Sequence, residues 1–205
     1  MVEEPMDYFA AINPLLRFMM NRFGALEVVG ESNLRTGTGA VVVCNHQGWA
    51  DPMWLTYAAQ PMTLYFMAKK ELFSNALASW ILTRSHVFPV DRNRTSPSSV
   101  KKAIELLEAG NLVMIYPSGT RSHSAIGLKR GAATIARLAG VPVIPAHYSG
   151  PDTLRGSHLF ERPQIRVEFG SPIFPEADAD RSTAPDFSSQ IAIGLEALMP
   201  LVEQG

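Results

Sequence analysis

The chain has 205 residues, 46% of them hydrophobic and only 18% charged, with nine Met, ten Phe and a single Cys. That length holds one sizeable core, and one cysteine excludes an internal disulfide and a multi-cysteine zinc site. The formal net charge is −1, yet 11 basic and four acidic residues fall between Lys69 and Arg137. A basic block inside a neutral protein points to an anionic ligand or surface. With no long Lys/Arg run, no zinc-finger spacing and no RNA-binding aromatic motif, nucleic acid is not the expected partner.

Low charge together with the Met and Phe content fits contact with something apolar, and fits an ordinary apolar core equally well. No run of 18 or more uncharged apolar residues occurs, so no spanning helix is expected. The acidic start, Met1 to Asp7, lacks the basic region of a secretory signal.

Tyr8 to Phe23 reads as a helix, kinked or restarted at Pro14. Arg17 and Arg22 sit among Phe18, Met19, Met20 and Phe23. That pattern suits an amphipathic segment lying in a membrane interface, with a helix packed on the core as the alternative. Residues 1–25 are therefore set apart from a domain over 26–205. Leu26 to Val29 is the first strand, and Gly30 to Gly39 a loop that includes a short strand. Gly37-Thr38-Gly39 precedes a strand, so it is not a dinucleotide fingerprint.

Ala40 to Cys44 is a buried strand. After it comes Asn45-His46-Gln47-Gly48-Trp49-Ala50-Asp51-Pro52, then the helical Met53 to Ala59. Asp51 fits a helix N-cap, with Pro52 at the first helical position. His46 and Asp51 are read as a base and the carboxylate that orients it. Cys44, two residues before His46, makes a Cys-His nucleophile conceivable, although a Cys that ends a Val run is usually core. As metal ligands His46 and Asp51 lack further partners in the sequence.

Thr63 to Ala68 is the next strand. A helix over Leu72 to Leu82 follows, with Leu72, Phe73, Ala76, Leu77, Trp80 and Ile81 on one face. Val87 to Val90 is a short strand with Asp91 to Arg94 at its exit. Ser96-Pro97-Ser98-Ser99 is a helix start signal, and the helix Val100 to Ala109 ends at Gly110. Leu112 to Tyr116 is a buried strand, and after it comes Pro117-Ser118-Gly119-Thr120-Arg121-Ser122. Small residues, hydroxyls and an arginine after a strand suit an anion, and Arg92, Lys129 and Arg130 lie at neighbouring exits. The turn lacks the ending of a nucleotide P-loop. The prolines in Val141 to Ala146 argue for an edge strand or a strand boundary. His86, His123, His147 and His158 have no partner by spacing. Gln164 to Gly170 alternates as a half-exposed strand. Pro172 to Pro185 reads as a loop and Asp186 to Glu203 as a closing helix.

Alternating strands and helices predict an α/β fold, a mostly parallel central sheet flanked by helices. Three chemically loaded turns, His46–Asp51, Asp91–Arg94 and Ser118–Arg121, then fall at carboxyl ends of strands, where such sheets bind ligands.

Four blocks in order resemble the glycerolipid acyltransferase family, the 1-acylglycerol-3-phosphate acyltransferases and their relatives. Asn45 to Asp51 resembles the family's His-x4-Asp motif, Val87 to Arg92 its second block, Pro117 to Ser122 its third and Val141 to Pro145 its fourth. The third block usually reads Glu-Gly-Thr-Arg, and here Ser118 stands in the Glu position. The resemblance implies acyl transfer from an acyl thioester, acyl-CoA or acyl carrier protein, to the hydroxyl of a lysophospholipid. His46 would serve as general base and Asp51 as its orienter. Arg92, Ser118, Gly119, Thr120, Arg121, Lys129 and Arg130 would hold the acceptor phosphate. No metal or other cofactor is expected, and the implied location is cytoplasmic, peripherally associated with a membrane surface. Two alternatives remain beside this reading: the same chemistry on another acceptor, motivated by Ser118, and a non-catalytic lipid-binding protein.

Overall fold

The computed structural model describes residues 18, 20–90, 97–116, 129–175 and 186–199, with 129 and 130 described by their backbone alone. Among them seven strands form one sheet. They are β1 (Ala25–Val29), β2 (Ala40–Cys44), β3 (Leu64–Lys69), β4 (Val87–Val90), β5 (Leu112–Ile115), β6 (Val143–Ser149) and β7 (Gln164–Phe169). Their order across the sheet is β1-β7-β6-β2-β5-β3-β4. Every pair is parallel except β6 with β7. The five strands from β6 to β4 thus run one way, and β7 and β1 run the other. The helices are α1 (Asp51–Ala58), α2 (Ala76–Arg84), α3 (Pro97–Glu108), α4 (Lys129–Ala139), α5 (His158–Glu161) and α6 (Phe187–Leu198). The expected mostly parallel sheet with helices around it is what forms.

β2 is central and fully buried, as a parallel strand covered on both faces must be. Its side chains alternate between two cores. Ala40, Val42 and Cys44 pack with Trp54, Leu55, Leu64 and Met114 on one face. Val41 and Val43 pack with Ala103, Leu107, Ala136 and Ile191 on the other. So α1 covers the first face, and α3, α4 and α6 cover the second. Trp54 is fully buried, and truncating such an anchor to Ala costs about 3–5 kcal/mol.

The structure corrects the sequence in several places. The stretch after β1 holds a 3-10 turn, Glu31–Leu34, rather than a strand. The helix expected over Leu72 to Leu82 is two pieces, a 3-10 turn at Lys70–Phe73 and then α2, divided by the capping Asn75. β6 is an interior strand despite Pro145, while Pro142 falls just before its first residue, at the boundary. Pro145 sits where the β7 side is interrupted: its carbonyl accepts from the Gly170 N–H, while Val143 pairs onward with Ile173. Its missing N–H therefore falls in a gap of the ladder, where proline is tolerated.

Helix ends follow their expected chemistry. Gly110 ends α3 with a φ of 83°, and the N–H groups of Gly110 and Asn111 return to Leu107 and Leu106. A residue with a Cβ is strained there. Asp186 caps α6, its carboxylate accepting from the Ser189 N–H at 2.7 Å. Near the N-terminus residue 18 and residues 20–23 are helical. Met20 is buried in the first core and Phe23 packs against it, whereas Phe18 is exposed. The remainder of the expected helix over 8–23 lies outside the described residues.

Candidate active site

The site is assembled where β2 and β5 end side by side. Leaving β2, the chain is fixed first by Asn45. Its Nδ2 donates to the Tyr148 carbonyl at 2.9 Å, and its Oδ1 accepts from the Tyr148 N–H at 2.7 Å. One side chain thereby extends the pairing of β2 with β6 by two hydrogen bonds and sets the direction in which His46 departs. The turn is closed by a tight approach. The Ala50 N–H donates to the Asp152 carbonyl at 3.0 Å. A Cβ on Gly48 would meet that carbonyl oxygen at 2.1 Å, so only glycine fits.

Asp51 is completely buried. It is the first residue of α1 rather than its cap, a place taken by Ala50, and no side-chain cap bond is made. The sequence expectation of a capping aspartate is thus corrected: the carboxylate turns back into the loop. His46 Nδ1 lies 2.9 Å from its Oδ2. The N–H groups of Gln47 and Gly48 donate to the same oxygen at 2.7 and 3.2 Å. Oδ1 accepts from the Tyr116 hydroxyl at 3.2 Å. Four donors around one carboxylate offset the cost of burying its charge.

Because Nδ1 faces a carboxylate, it carries the proton of the neutral ring, and Nε2 keeps its lone pair. The imidazole is 20% exposed, so the ring is held on one side and open on another. Tyr116 stacks on it, with ring centroids 4.2 Å apart and planes inclined by 25°. In the sequence Tyr116 is only the end of a strand. The structure puts it just beyond β5, touching both His46 and Asp51. Burial first, then the charge of Asp51, push its hydroxyl well above the usual tyrosine range, so it acts as a donor.

Cys44 is different from what a nucleophile needs. It is fully buried, and its thiol points back to Asn45 Oδ1 at 3.3 Å. Burial, with Asp51 adding to it, raises the thiol well above its ordinary value, which removes the thiolate that reaction requires. His147 and His158 are buried and lie away from this cluster in the chain. His158 Nδ1 accepts from the Arg155 N–H. Among the described residues no three His, Cys, Asp or Glu side chains group as metal ligands would.

The anion-binding residues expected from the sequence are not all in view. Arg92, Ser118, Gly119, Thr120 and Arg121 lie outside the described residues. Lys129 and Arg130 open α4, with only their backbone described. Strand order still separates the exits. β5 adjoins β2, so the turn that starts at Pro117 leaves from beside His46. β4 lies three strands from β2, about 14 Å across a sheet.

The chain matches the family model described as Acyltransferase over residues 25–149. It is 37% identical over 189 residues to the 1-acyl-sn-glycerol-3-phosphate acyltransferase of Bacillus subtilis (strain 168), covering 92% of each chain. It is 39% identical over 134 residues to the protein of that name from Streptococcus pneumoniae (strain ATCC BAA-255 / R6), covering 65% of this chain and 49% of that one. Among solved structures it is similar to the 1-acyl-sn-glycerophosphate (LPA) acyltransferase PlsC of Thermotoga maritima. There the TM-score is 0.65 at 20% identity, over 94% of this chain and 82% of that one, a likeness of fold. Because the matched region runs from β1 to the end of β6 and holds the whole His46–Asp51 turn, the chain belongs to the 1-acyl-sn-glycerol-3-phosphate acyltransferase family and is an O-acyltransferase.

Proposed function

We propose that the protein moves a fatty acyl group from an acyl thioester, carried by coenzyme A or acyl carrier protein, to the free hydroxyl of a lysophospholipid such as 1-acylglycerol-3-phosphate. His46 is the general base and Asp51 its orienting partner. The observation that carries this reading is the buried Asp51 carboxylate, held by two loop N–H groups and 2.9 Å from His46 Nδ1. Held so, it fixes the tautomer that presents Nε2 to solvent and stabilises the imidazolium once formed.

The acceptor hydroxyl gives its proton to Nε2 as its oxygen bonds to the thioester carbonyl carbon. The tetrahedral intermediate collapses, the C–S bond breaks, and the departing sulfur takes the proton back from His46 as a free thiol. Transfer is direct, because Cys44 is buried and protonated. The acceptor phosphate is held by Arg92, by the Ser118-Gly119-Thr120-Arg121 turn, and by Lys129 and Arg130. The contact of Tyr116 with His46 supports that assignment for the turn, which begins at the next residue.

The acceptor is a membrane lipid, so the enzyme works peripherally at the cytoplasmic membrane surface, with residues 1–25 as an amphipathic segment. No helix among the described residues is long and apolar enough to cross a membrane. Exposed Phe18 and Arg22 near the N-terminus agree with an interfacial role. The test is incubation with acyl-CoA or acyl carrier protein thioesters and a panel of acceptors, following thiol release and lipid product. His46→Ala transferring acyl groups at the wild-type rate would overturn the general base. Ser118 in the usual Glu position favours a second reading, in which product forms only on acceptors that lack a phosphate.

A further inference from the structure

Helix α2 is built the opposite way from an ordinary surface helix. Leu77, Trp80 and Ile81 are 66%, 57% and 48% exposed, and with Arg84 they mark one stripe at i, i+3, i+4 and i+7. None of its nine residues is buried. The preceding turn adds Leu72, 44% exposed. Isolated helices shorter than about 12 residues are marginal in water, and most gain stability by burying an apolar face. This one is well started, since Asn75 Oδ1 accepts from the N–H groups of Leu77 and Ala78, yet its apolar stripe faces away from the domain.

Its place in the fold gives the stripe a direction. α2 joins the parallel neighbours β3 and β4, and such crossovers are right-handed. The connection from β2 through α1 to β3 moves the same way along the sheet, so α2 lies on the face that α1 covers. Helical residues Met20 and Phe23 pack on that face as well. Exposed Trp49 and Met53 flank the His46 turn there. The 3-10 turn that carries Leu72 follows the carboxyl end of β3, two strands from the end of β2, about 10 Å away. The apolar stripe and the mouth of the active site therefore share one face and one edge.

Charge identifies the occupant. Between Lys69 and Arg84 the chain carries three basic residues and one acidic one, Glu71, and Lys69, Lys70 and Arg84 are all exposed. The Arg84 guanidinium lies over the Trp80 ring, 4.7 Å from its centroid. Large apolar side chains, an indole and cations at the rim match a bilayer interface with anionic headgroups. We infer that the outward face of α2 and the turn before it dock the protein on an anionic lipid surface, with the His46 site opening toward the lipid. This rests on the reading of the acceptor as a membrane lipid and adds a docking element distinct from the N-terminal segment.

The full chain is sedimented with vesicles of phosphatidylcholine alone and of phosphatidylcholine with phosphatidylglycerol. The wild type should pellet with the anionic vesicles. Leu77→Ser with Trp80→Ser should cut the bound fraction at least about tenfold, and Lys69→Gln with Lys70→Gln should lower it on anionic vesicles alone. Since these side chains are exposed, circular dichroism and Tm should match the wild type. Thiol release with a dispersed, short-chain acceptor should also match, while turnover of a vesicle-embedded acceptor falls. Unchanged sedimentation of the double serine variant overturns the inference. So does a loss confined to self-association in sedimentation velocity, which assigns the stripe to a second copy, or a loss confined to acyl carrier protein thioesters, which assigns it to the carrier. Vesicle binding that depends on α2 in a protein inactive on every acceptor would leave the docking face standing and overturn the enzymatic reading instead.

Discussion

Replacing Asp51 by asparagine removes one charge from a fully buried position and hardly changes its size. The amide oxygen can occupy the place of Oδ2 and accept from Gln47, Gly48 and His46 Nδ1, now at 2.7, 3.2 and 2.9 Å. The amide nitrogen then faces the Tyr116 hydroxyl, which turns to accept. Geometry and tautomer are kept, and what is lost under the proposed general-base mechanism is the negative charge opposite the imidazolium of the transition state. A charge pair about 4 Å apart is worth about 4 kcal/mol at an effective dielectric near 20. The partly open face of His46 screens some of it, leaving about 3 kcal/mol, or roughly a hundredfold in kcat. Initial rates of thiol release from acyl-CoA under saturating acceptor measure this, alongside Tm. Asp51→Ala gives the contrast, because it leaves four donors without their acceptor at about 1–3 kcal/mol for each that stays buried and unpaired, and should lower Tm as well as the rate. An asparagine variant with near wild-type Tm that keeps more than a third of the rate would refute the electrostatic account of this pair.

Tyr116→Phe keeps the ring stacked on His46 and deletes the donor to Asp51 Oδ1, a bond of 3.2 Å, so kcat should fall about three- to tenfold, the roughly 0.7–1.4 kcal/mol of a typical net hydrogen bond. Tyr116→Leu should cost more, and equal rates for the two variants would show that the hydroxyl alone matters. Cys44→Ala should keep transfer activity, and native Cys44 should resist iodoacetamide at pH 8. Because burial raises its folded pKa, the unfolded thiol ionises first as pH passes about 8.5. Cys44 therefore subtracts stability from there upward, and urea midpoints of wild type and Cys44→Ala should converge or cross between pH 8 and 10. Asp186 is held below its ordinary value, chiefly by hydrogen bonds from Ser189, so its contribution is full above about pH 4 and is lost as pH falls through the lowered value. Asp186→Ala should lower Tm at pH 7, and the difference from wild type should shrink as pH falls below about 4.

The sequence by itself determined the strands and the pairing of His46 with Asp51 in the key turn. Parallel strands buried on two faces must be continuous apolar runs, and Ala40-Val41-Val42-Val43-Cys44 is one. His46 and Asp51 meet within five residues, so their pairing needs only a turn and a helix start, both signalled by Gly48 and Pro52. The order of four blocks placed the chain beside its family. Tertiary structure decided what depends on residues far apart in the chain. Tyr116 reaches Asp51 across 65 residues, because β5 happens to adjoin β2. Asn45 locks onto Tyr148 across 103 residues. Neither contact leaves a local pattern. A proline such as Pro145 of β6 marks an edge only if its N–H is needed, and the break beside β7 removed that need. The face of α2 shows the same limit. Periodicity established that Leu77, Trp80 and Ile81 share one side of a helix, but a stripe has no sign. Only the position of α2 at the margin of the sheet, beside the last strand, turned that side outward.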